Sequence, residues 1–336
     1  MLASVTDRGG SPDAAGFVHT GGVLHFLALC LPIFAVVAIG LGAARRGMVT
    51  AGMVDAVGLF AFQVALPAML FRLMASQPLA ESFQGDFFAG YLGACLMVFG
   101  GVLLAAMALG RTRPDAAAFG AAAAMGNVGY LAPPLLLSIL GPRIAGPVAM
   151  SIVAEVAVII ALGSVLMARD AAPGQGLRTL RATLAGLARN PVILSVAGGA
   201  AFAATGAAIP APVDRFLAFL GGAAGPTALF ALGGTLARLR AGRDLALLAG
   251  GLSFVKLAAY PAVMWLMLGP VLGLDPFWVA AGVLLAAMPT ATNAFVLAQR
   301  YGAQPEGVSA VVLLSTLLAA LAFPATAWLL ALPVPG

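Results

Sequence analysis

Apolar runs of about twenty residues follow one another along almost the whole of this 336-residue chain. A run of that length spans the hydrocarbon core of a bilayer, about 30 Å thick, as one α-helix. A helix is required there because backbone N–H and C=O groups in lipid must bond within their own segment. The sequence therefore predicts an all-α polytopic membrane protein. We expect ten transmembrane helices, at residues 22–44, 54–76, 87–110, 116–140, 146–168, 191–210, 213–237, 245–270, 276–299 and 306–331.

Composition agrees with a membrane protein and bounds its organisation. Charged residues make up 9% of the chain, whereas soluble proteins carry about 25%. The first twenty residues lack the basic segment of a signal peptide, and the first apolar run is too long to be a cleaved one. We predict an extracytoplasmic tail (1–21), a first five-helix repeat (22–168), a cytoplasmic linker (169–190) and a second five-helix repeat (191–336).

Arginines are divided unevenly between the two sides of the predicted membrane. The loops that follow odd-numbered spans hold twelve, and the opposite side holds four. By the positive-inside rule, the arginine-rich loops are cytoplasmic and both termini lie outside. The net charge of +5 follows from this asymmetry, so no nucleic-acid partner is expected. The twelve are Arg45, Arg46, Arg111, Arg113, Arg169, Arg178, Arg181, Arg189, Arg238, Arg240, Arg243 and Arg300; the four are Arg8, Arg72, Arg143 and Arg215.

The two halves of the chain resemble each other at a fixed offset. VDAVGLFAFQVALPAMLF at 54–71 aligns without a gap with VDRFLAFLGGAAGPTALF at 213–230, including a paired Asp and a paired Pro. Each half has five predicted spans, and an odd number makes the second copy enter from the opposite side. Such inverted repeats are typical of secondary transporters, whose alternating access uses two similar halves.

The fourth span of each half contains residues that break a helix. AAMGNVGYLAPPLLL (123–137) carries two glycines and two prolines, and AAMPTATNAF (286–295) carries Pro289 at the matching place. Each break divides its span into pieces of roughly 15 Å, which places both breaks near the bilayer midplane. Free backbone groups cost several kcal/mol there unless protein or a water-filled cavity satisfies them. Two matched breaks in an inverted repeat therefore indicate a substrate site; packed proline kinks are the structural alternative.

The chemistry of these breaks suits an anion. A half-helix that restarts near Pro134, and another near Asn293, would direct N–H groups and a partial positive charge into the cavity. Asparagine and threonine side chains can add neutral hydrogen bonds. The predicted substrate-binding residues are Gly126, Asn127, Gly129, Pro133, Pro134, Pro289, Thr290, Thr292 and Asn293.

Two charged residues lie deep inside predicted spans. Glu155 is in span five, and Lys256, the sole lysine, is in span eight. A charge at the bilayer centre costs at least about 2.5–3.5 kcal/mol, so such residues usually pair or line a pathway. One of them could carry a coupling proton, or Lys256 could neutralise a bound anion; a structural ion pair or a snorkelling side chain is the alternative. Asp55 and Asp214 stand at helix entrances, where N-capping is expected.

Other classes of protein lack their characteristic residues in this sequence. Cys30 and Cys95 lie in apolar spans and are expected to be buried, and no Cys/His cluster predicts a metal. An intramembrane enzyme would need an Asp pair, HExxH or a Ser nucleophile with a base; Ser253 and Lys256 only mimic a Ser–Lys dyad. The sequence contains no selectivity-filter motif of the kind that would predict a channel. No cofactor is therefore expected beyond a coupling proton or sodium ion.

Five segments resemble the auxin efflux carrier family in its bacterial branch, which includes carriers assigned to malonate and other small carboxylates. Their order and spacing carry the resemblance over nearly the whole chain after residue 22. The segments are ALPAMLFRLMA (65–75), AMGNVGYLAPPLLLSILG (124–141), RNPVILSVAGG (189–199), GPTALFALGGTLA (225–237) and AAMPTATNAFVLAQRYG (286–302).

The resemblance implies ten helices in two inverted repeats within a bacterial cytoplasmic membrane, and it makes a homodimer plausible. It implies a scaffold of helices 1, 2, 6 and 7, and a transport part of helices 3–5 and 8–10. Broken helices 4 and 9 would cross at a carboxylate site formed by Gly126, Asn127, Pro134, Pro289 and Asn293. The short linker 169–190 lacks the long cytoplasmic loop of the plant members.

These observations favour a secondary active transporter of a small organic anion, a mono- or dicarboxylate such as a malonate-like or auxin-like acid. Its movement would be elevator-like or rocking. A carrier like the bile-acid/sodium symporters, which share the crossover, is the alternative, and an anion channel ranks below both.

Overall fold

Long apolar helices dominate the described part of the chain. The computed structural model describes residues 23–77, 83–168, 181, 185, 186, 188–239 and 245–330. Within these residues the protein is all-α, and seven helices are long and apolar enough to cross a membrane. The all-α membrane architecture expected from the sequence is thereby confirmed. The predicted tail 1–21 and most of the linker 169–190 lie outside the described residues.

We label twelve helical segments in chain order. They are α1 (Val23–Arg45), α2 (Ala51–Ala75), α3 (Gly85–Ala108), α4 (Arg113–Ala124), α5 (Ala132–Leu140), α6 (Pro142–Met167), α7 (Pro191–Ala204), α8 (Ala211–Leu236), α9 (Ala246–Val271), α10 (Pro276–Ala286), α11 (Thr292–Tyr301) and α12 (Pro305–Leu329).

The predicted fourth and ninth spans are each two helices. The run 116–140 contains α4 and α5, and the run 276–299 contains α10 and α11. The breaks fall where the glycines and prolines weaken a continuous helix. The sixth span is shorter than predicted, because α7 ends at Ala204, before Gly206 with its positive φ and Pro210.

The helices pack in two groups. In the first helix group, α1 packs against α8, and α2 packs against both α7 and α8. In the second helix group, α3 packs against α4, α4 against α6, α9 against α10 and α12, and α11 against α12. The groups also meet where α1 packs against α12. The two broken spans therefore meet within the second group, and α2 and α8 of the first group lie beside them.

Small residues permit the closest approach inside the first helix group. A Cβ on Gly40 of α1 would overlap the backbone oxygen of Phe230, and a Cβ on Gly233 of α8 would overlap that of Val37. Close backbone contact through small residues is how helices associate in lipid, where no hydrophobic effect drives them together.

Three of the long helices widen into π-helical turns. These turns are 61–65 in α2, 154–159 in α6, and 255–259 in α9, with a fourth at 267–271 near the end of α9. Pro67 and Pro261 follow two of the turns by two residues, and each lacks the N–H that would continue the regular ladder. Such bulges concentrate at functional sites, and here they carry Phe62, Glu155 and Lys256.

Candidate functional site

The two broken spans are joined to each other by their backbones. Gly126 and Thr290 form an isolated antiparallel β-bridge. The N–H of Asn127 donates to the carbonyl oxygen of Pro289 at 2.8 Å, and the N–H of Ala291 donates to that of Met125 at 3.1 Å. Each break thus satisfies part of the hydrogen-bonding capacity that the other leaves open, which lowers the cost of interrupting a helix in lipid.

The first break offers donors at a different place from the one predicted. The sequence suggested N–H groups at the start of the half-helix near Pro134, and α5 does begin at Ala132. However, prolines fill two positions of its first turn and have no N–H. The N–H groups of Leu131 and Ala132 both donate to the carbonyl oxygen of Asn127. The start of α5 therefore has few N–H groups that are free to bind a substrate. The prediction that the donors lie near Pro134 was wrong.

The free donors of the first break lie one turn earlier. Asn127 folds back on the loop, because its Oδ1 accepts from the N–H of Tyr130 at 3.3 Å. Val128 and Gly129 lie between Asn127 and Tyr130 in the chain. Their N–H groups have no hydrogen-bond partner among the described residues. Both residues line a cavity at the crossing.

The second break presents the N-terminus of α11. Its N-cap residue, Ala291, has no side chain that can cap the helix. The N–H groups of Thr292 and Asn293 have no partner in the described part of the chain. The side chain of Asn293 is exposed, and that of Thr292 is half-buried. An uncapped helix start carries a partial positive charge and suits an anion.

A cavity of about 90 Å³ brings both breaks together. That volume exceeds several times the ~10–15 Å³ that one water molecule needs, so it suits a small solute. Of the predicted substrate-binding residues, Gly126, Asn127, Gly129, Thr292 and Asn293 line it. Pro133, Pro134, Pro289 and Thr290 do not belong to its lining.

Thr290 holds the crossing together instead of facing the cavity. Its hydroxyl donates to the carbonyl oxygen of Ala122 in α4 at 2.8 Å, and its N–H donates to Oγ of Ser315 in α12 at 3.1 Å. Its exposed fraction is 1%. Pro134 contacts the first helix group, since a Cβ on Gly225 of α8 would lie 3.2 Å from Pro134 Cβ.

Glu155 is buried against the first break. Its Oε2 accepts from the N–H of Gly126 at 2.9 Å, and its Oε1 accepts from the hydroxyl of Tyr91 in α3 at 2.8 Å. The carboxylate also lines the cavity at the crossing. Two hydrogen bonds to its oxygens stabilise a carboxylate in a buried place.

Lys256 is buried against the second break. Its ammonium donates to the carbonyl oxygen of Ala286, the last residue of α10, at 2.9 Å. A cation at this end of a helix is favoured by the helix dipole. The ammonium also lies 4.4 Å from the centre of the Tyr260 ring, and a Cβ on Gly126 would lie 3.3 Å from it.

The two buried charges do not form the direct ion pair considered from the sequence. Among the described residues, the ion pairs within 4 Å are Arg72–Asp214 and Arg238–Asp55. Glu155 and Lys256 instead reach the backbone of the crossing from opposite breaks, and both lie close to Gly126. The positive and negative charges therefore act on the same few peptide groups.

Those ion pairs also correct the roles expected for two aspartates. Asp214 pairs with Arg72 at 2.7 Å, and Asp55 pairs with Arg238 at 2.8 Å. The N-cap of α2 is Thr50, and neither aspartate caps a helix. Asp55 near the start of α2 binds Arg238 just after the end of α8, and Asp214 near the start of α8 binds Arg72 near the end of α2. The two antiparallel helices are therefore held together at both ends.

A wider vestibule of about 250 Å³ continues from the crossing. It runs between α2 and α8 and reaches Asp55, while Thr292 and Asn293 form its inner end. Phe62 and Tyr130 border both the vestibule and the smaller cavity, and their rings stack with centroids 5.8 Å apart. This aromatic pair lies at the boundary of the two spaces, where Thr292 and Asn293 also line both.

Sequence reasoning missed several residues of this site. Tyr91, Tyr130 and Tyr260 contact the crossing or its charged residues. The chain has only four tyrosines, and three of them lie in apolar runs, which was an available signal. Asn190, the N-cap of α7, also lines the cavity. Ser315 gave no signal, because a serine in a membrane helix usually bonds its own backbone.

This chain is similar to known membrane transport proteins. The sequence pattern of the family described as "Membrane transport protein" matches residues 25–327. A protein of Rhizobium meliloti (strain 1021), described as "Putative malonate transporter", is 36% identical over 295 residues, which cover 86% of this chain and 91% of that protein.

Proposed function

The chain belongs to the membrane transport protein family, and from that premise we propose that it is a secondary active transporter of a small organic anion. Membership confirms the resemblance to the auxin efflux carriers and their malonate-type bacterial branch. It also identifies the chain as a transport protein rather than an enzyme.

One observation carries the anion assignment. Four backbone N–H groups without a partner among the described residues, those of Val128, Gly129, Thr292 and Asn293, surround one small cavity. Unpartnered donors away from water cost free energy, and an anion with several acceptor oxygens satisfies them. The nearby ammonium of Lys256 adds positive charge, while its own hydrogen bond to Ala286 keeps it outside the contact.

A carboxylate of two to five carbons is the substrate class that we propose. The cavity of about 90 Å³ suits a small acid, and the R. meliloti relative is described as a "Putative malonate transporter". An indole acid such as an auxin would require the Phe62–Tyr130 pair to separate and admit the ring into the vestibule. Malonate-like dicarboxylates are therefore preferred.

We further propose ten spans in two inverted repeats, with both termini outside the cytoplasmic membrane. The ion pairs Asp55–Arg238 and Asp214–Arg72 support this arrangement, because the paired aspartates of the two halves each bind an arginine at the far end of the other half's helix. In this orientation the vestibule beside Asp55 opens to the cytoplasm. Substrate would be released or captured there after the second helix group moves past α2 and α8.

The structure suggests how a movement of one helix group could carry the site. The crossing, Glu155, Lys256 and Ser315 all belong to the second helix group and are connected by hydrogen bonds. Only α2 and α8 border the vestibule from the first group. An elevator-like displacement would thus leave the site intact while changing the surface that covers it. A homodimer formed through the first group would hold that group still.

We also propose that substrate transport is coupled to a proton or a sodium ion. Glu155 contacts both the cavity and the first break, so its charge would affect substrate binding through Gly126. Protonation of Glu155 would remove a negative charge beside the substrate, which favours cotransport of the acid with a proton.

Uptake and binding by the purified protein test the anion assignment. Thermal melting would be measured with malonate, succinate, acetate, indole acetate, glutamine and choline, each with sodium or potassium and at two pH values. A specific ligand stabilises by RT ln(1 + [L]/Kd), so small carboxylates should raise the melting temperature. Stabilisation by the neutral or cationic solutes alone would overturn the assignment. Counterflow of the stabilising acid in proteoliposomes then separates a carrier from a channel.

A further inference from the structure

A large cavity apart from the crossing has no role in the transport scheme. It measures about 700 Å³ and lies between α1, α9 and α12, with no residue shared with the substrate cavity. Its walls are apolar except for Arg45 and Thr316, and the Thr316 hydroxyl bonds the backbone of its own helix. Cavities of roughly 300–1,000 Å³ are of the size that holds ligands. We call this cavity the α1–α12 groove.

The groove is long enough to span the hydrocarbon of one lipid leaflet. Along α1 its lining runs from Arg45 to Leu31, which is about 21 Å at 1.5 Å per residue. The hydrocarbon of one leaflet is about 15 Å thick, half of the bilayer core. Leu31 and Leu317 on its rim are 68% and 72% exposed, so the groove opens sideways towards lipid. An extended acyl chain fits these dimensions and this lining.

Charge is confined to one end of the groove. Arg45 ends α1, and its side chain forms no hydrogen bond or ion pair with the described residues. Leu245 and Ala246, at the start of α9, border the groove at the same end. A guanidinium binds a phosphate through two parallel hydrogen bonds. In the proposed orientation this end faces the cytoplasmic leaflet, where anionic lipids attract basic residues.

We propose that the α1–α12 groove binds one anionic phospholipid, with an acyl chain along α1 and its phosphate on Arg45. The groove is formed by α1 and the end of α8 on one side, and by α9 and α12 on the other. The bound chain therefore fills the seam between the two helix groups. A lipid at this seam would alter the rate of their relative movement without contacting the substrate.

Native mass spectrometry of the full-length protein tests lipid binding without depending on transport. Protein in mild detergent would be incubated with phosphatidylglycerol or phosphatidylcholine of identical acyl chains. Wild type should retain one phosphatidylglycerol. Arg45→Ala removes the phosphate contact and Ala38→Trp fills the groove, so each should reduce retention about tenfold or more. The matched controls are Arg46→Ala, one residue along but outside the lining, and Ala105→Trp, an exposed alanine of α3 outside these cavities.

Each other result contradicts the proposal in a recognisable way. Equal losses in Arg45→Ala and Arg46→Ala would mean unspecific attraction to a basic surface. Loss in Ala38→Trp alone, with equal retention of both lipids, would mean an apolar chain site without headgroup recognition. Retention in Ala38→Trp equal to wild type would place the lipid elsewhere.

Discussion

The carboxylate of Glu155 accepts a hydrogen bond from the backbone N–H of Gly126, with 2.9 Å between Oε2 and the nitrogen. Gly126 is also the residue whose neighbour, Asn127, donates to the backbone of Pro289. A titratable side chain is therefore one peptide group away from the contact that joins the two broken spans. A change of charge on Glu155 would therefore act directly on the cavity at the crossing.

Glu155→Gln should abolish proton-dependent transport and leave a folded protein. The amide keeps the size of the side chain, but its NH₂ group accepts no hydrogen bond. Either the Tyr91 hydroxyl or the Gly126 N–H therefore loses its acceptor, and stability should fall by about 1–3 kcal/mol. Uptake into proteoliposomes would be measured between pH 5.5 and 8, beside thermal melting. Glu306→Gln, an exposed glutamate in the first turn of α12, is the control and should behave as wild type. Unchanged uptake and pH dependence in Glu155→Gln would remove the coupling role.

Lys256→Met should destabilise the second break and weaken anion binding. It leaves the carbonyl oxygen of Ala286 without its donor, which costs about 1–3 kcal/mol in a buried place. Ser253→Ala is a matched control on the same helix, because the Ser253 hydroxyl is buried without a partner in the described part of the chain. It should shift stability little. Equal melting temperatures for Lys256→Met and wild type would show that the ammonium is not a structural donor here.

The two asparagines should separate binding from stability. Asn293→Ala removes an exposed side chain at the start of α11, so substrate affinity should fall several-fold with melting unchanged. Asn127→Ala also removes the acceptor of the Tyr130 N–H, so affinity and stability should fall together, the latter by about 1 kcal/mol. Both would be measured by isothermal titration and thermal melting. Affinity that is insensitive to both changes would move the substrate away from this cavity.

Thr290→Val should loosen the crossing from outside the cavity. Valine has nearly the same shape, but it leaves the carbonyl oxygen of Ala122 without its donor, at a cost of about 1–3 kcal/mol. Transport should slow more than substrate affinity falls, because the residue positions both breaks. Thr326→Val removes a hydroxyl that bonds its own helix and should have little effect. A larger loss in the control than in Thr290→Val would contradict this role.

The sequence predicted the two helix breaks better than the hydrogen bonds that join them. Residues that weaken a helix, such as Pro134 and Pro289, predicted two interruptions, and both occur. The bridge between Gly126 and Thr290 could not be predicted, since it depends on how segments 164 positions apart in the chain pack together. Local rules also misassigned Asp214, because its partner Arg72 is 142 positions away.

The first break shows a further limit of local reasoning. Proline is favourable in a first helical turn, and that rule correctly predicted where α5 begins. The same prolines supply no N–H, and the carbonyl oxygen of Asn127 accepts from the neighbouring N–H groups of Leu131 and Ala132. Only the folded loop reveals that Val128 and Gly129 keep theirs. Where a helix starts and where its donors point are separate questions.

The N–H groups of Val128, Gly129, Thr292 and Asn293, which have no partner among the described residues, belong to the main chain, and this has a consequence for how the proposed substrate preference would change in evolution. A point substitution, unless it introduces proline, cannot delete a peptide donor, so the preference for acids should survive most changes in this region. Side chains such as Phe62 and Tyr130 shape the room beside those donors and are free to vary. If the proposed function holds, related proteins would acquire new acids as substrates by changing the side chains of the cavity wall, while the backbone donors that bind the carboxylate are kept.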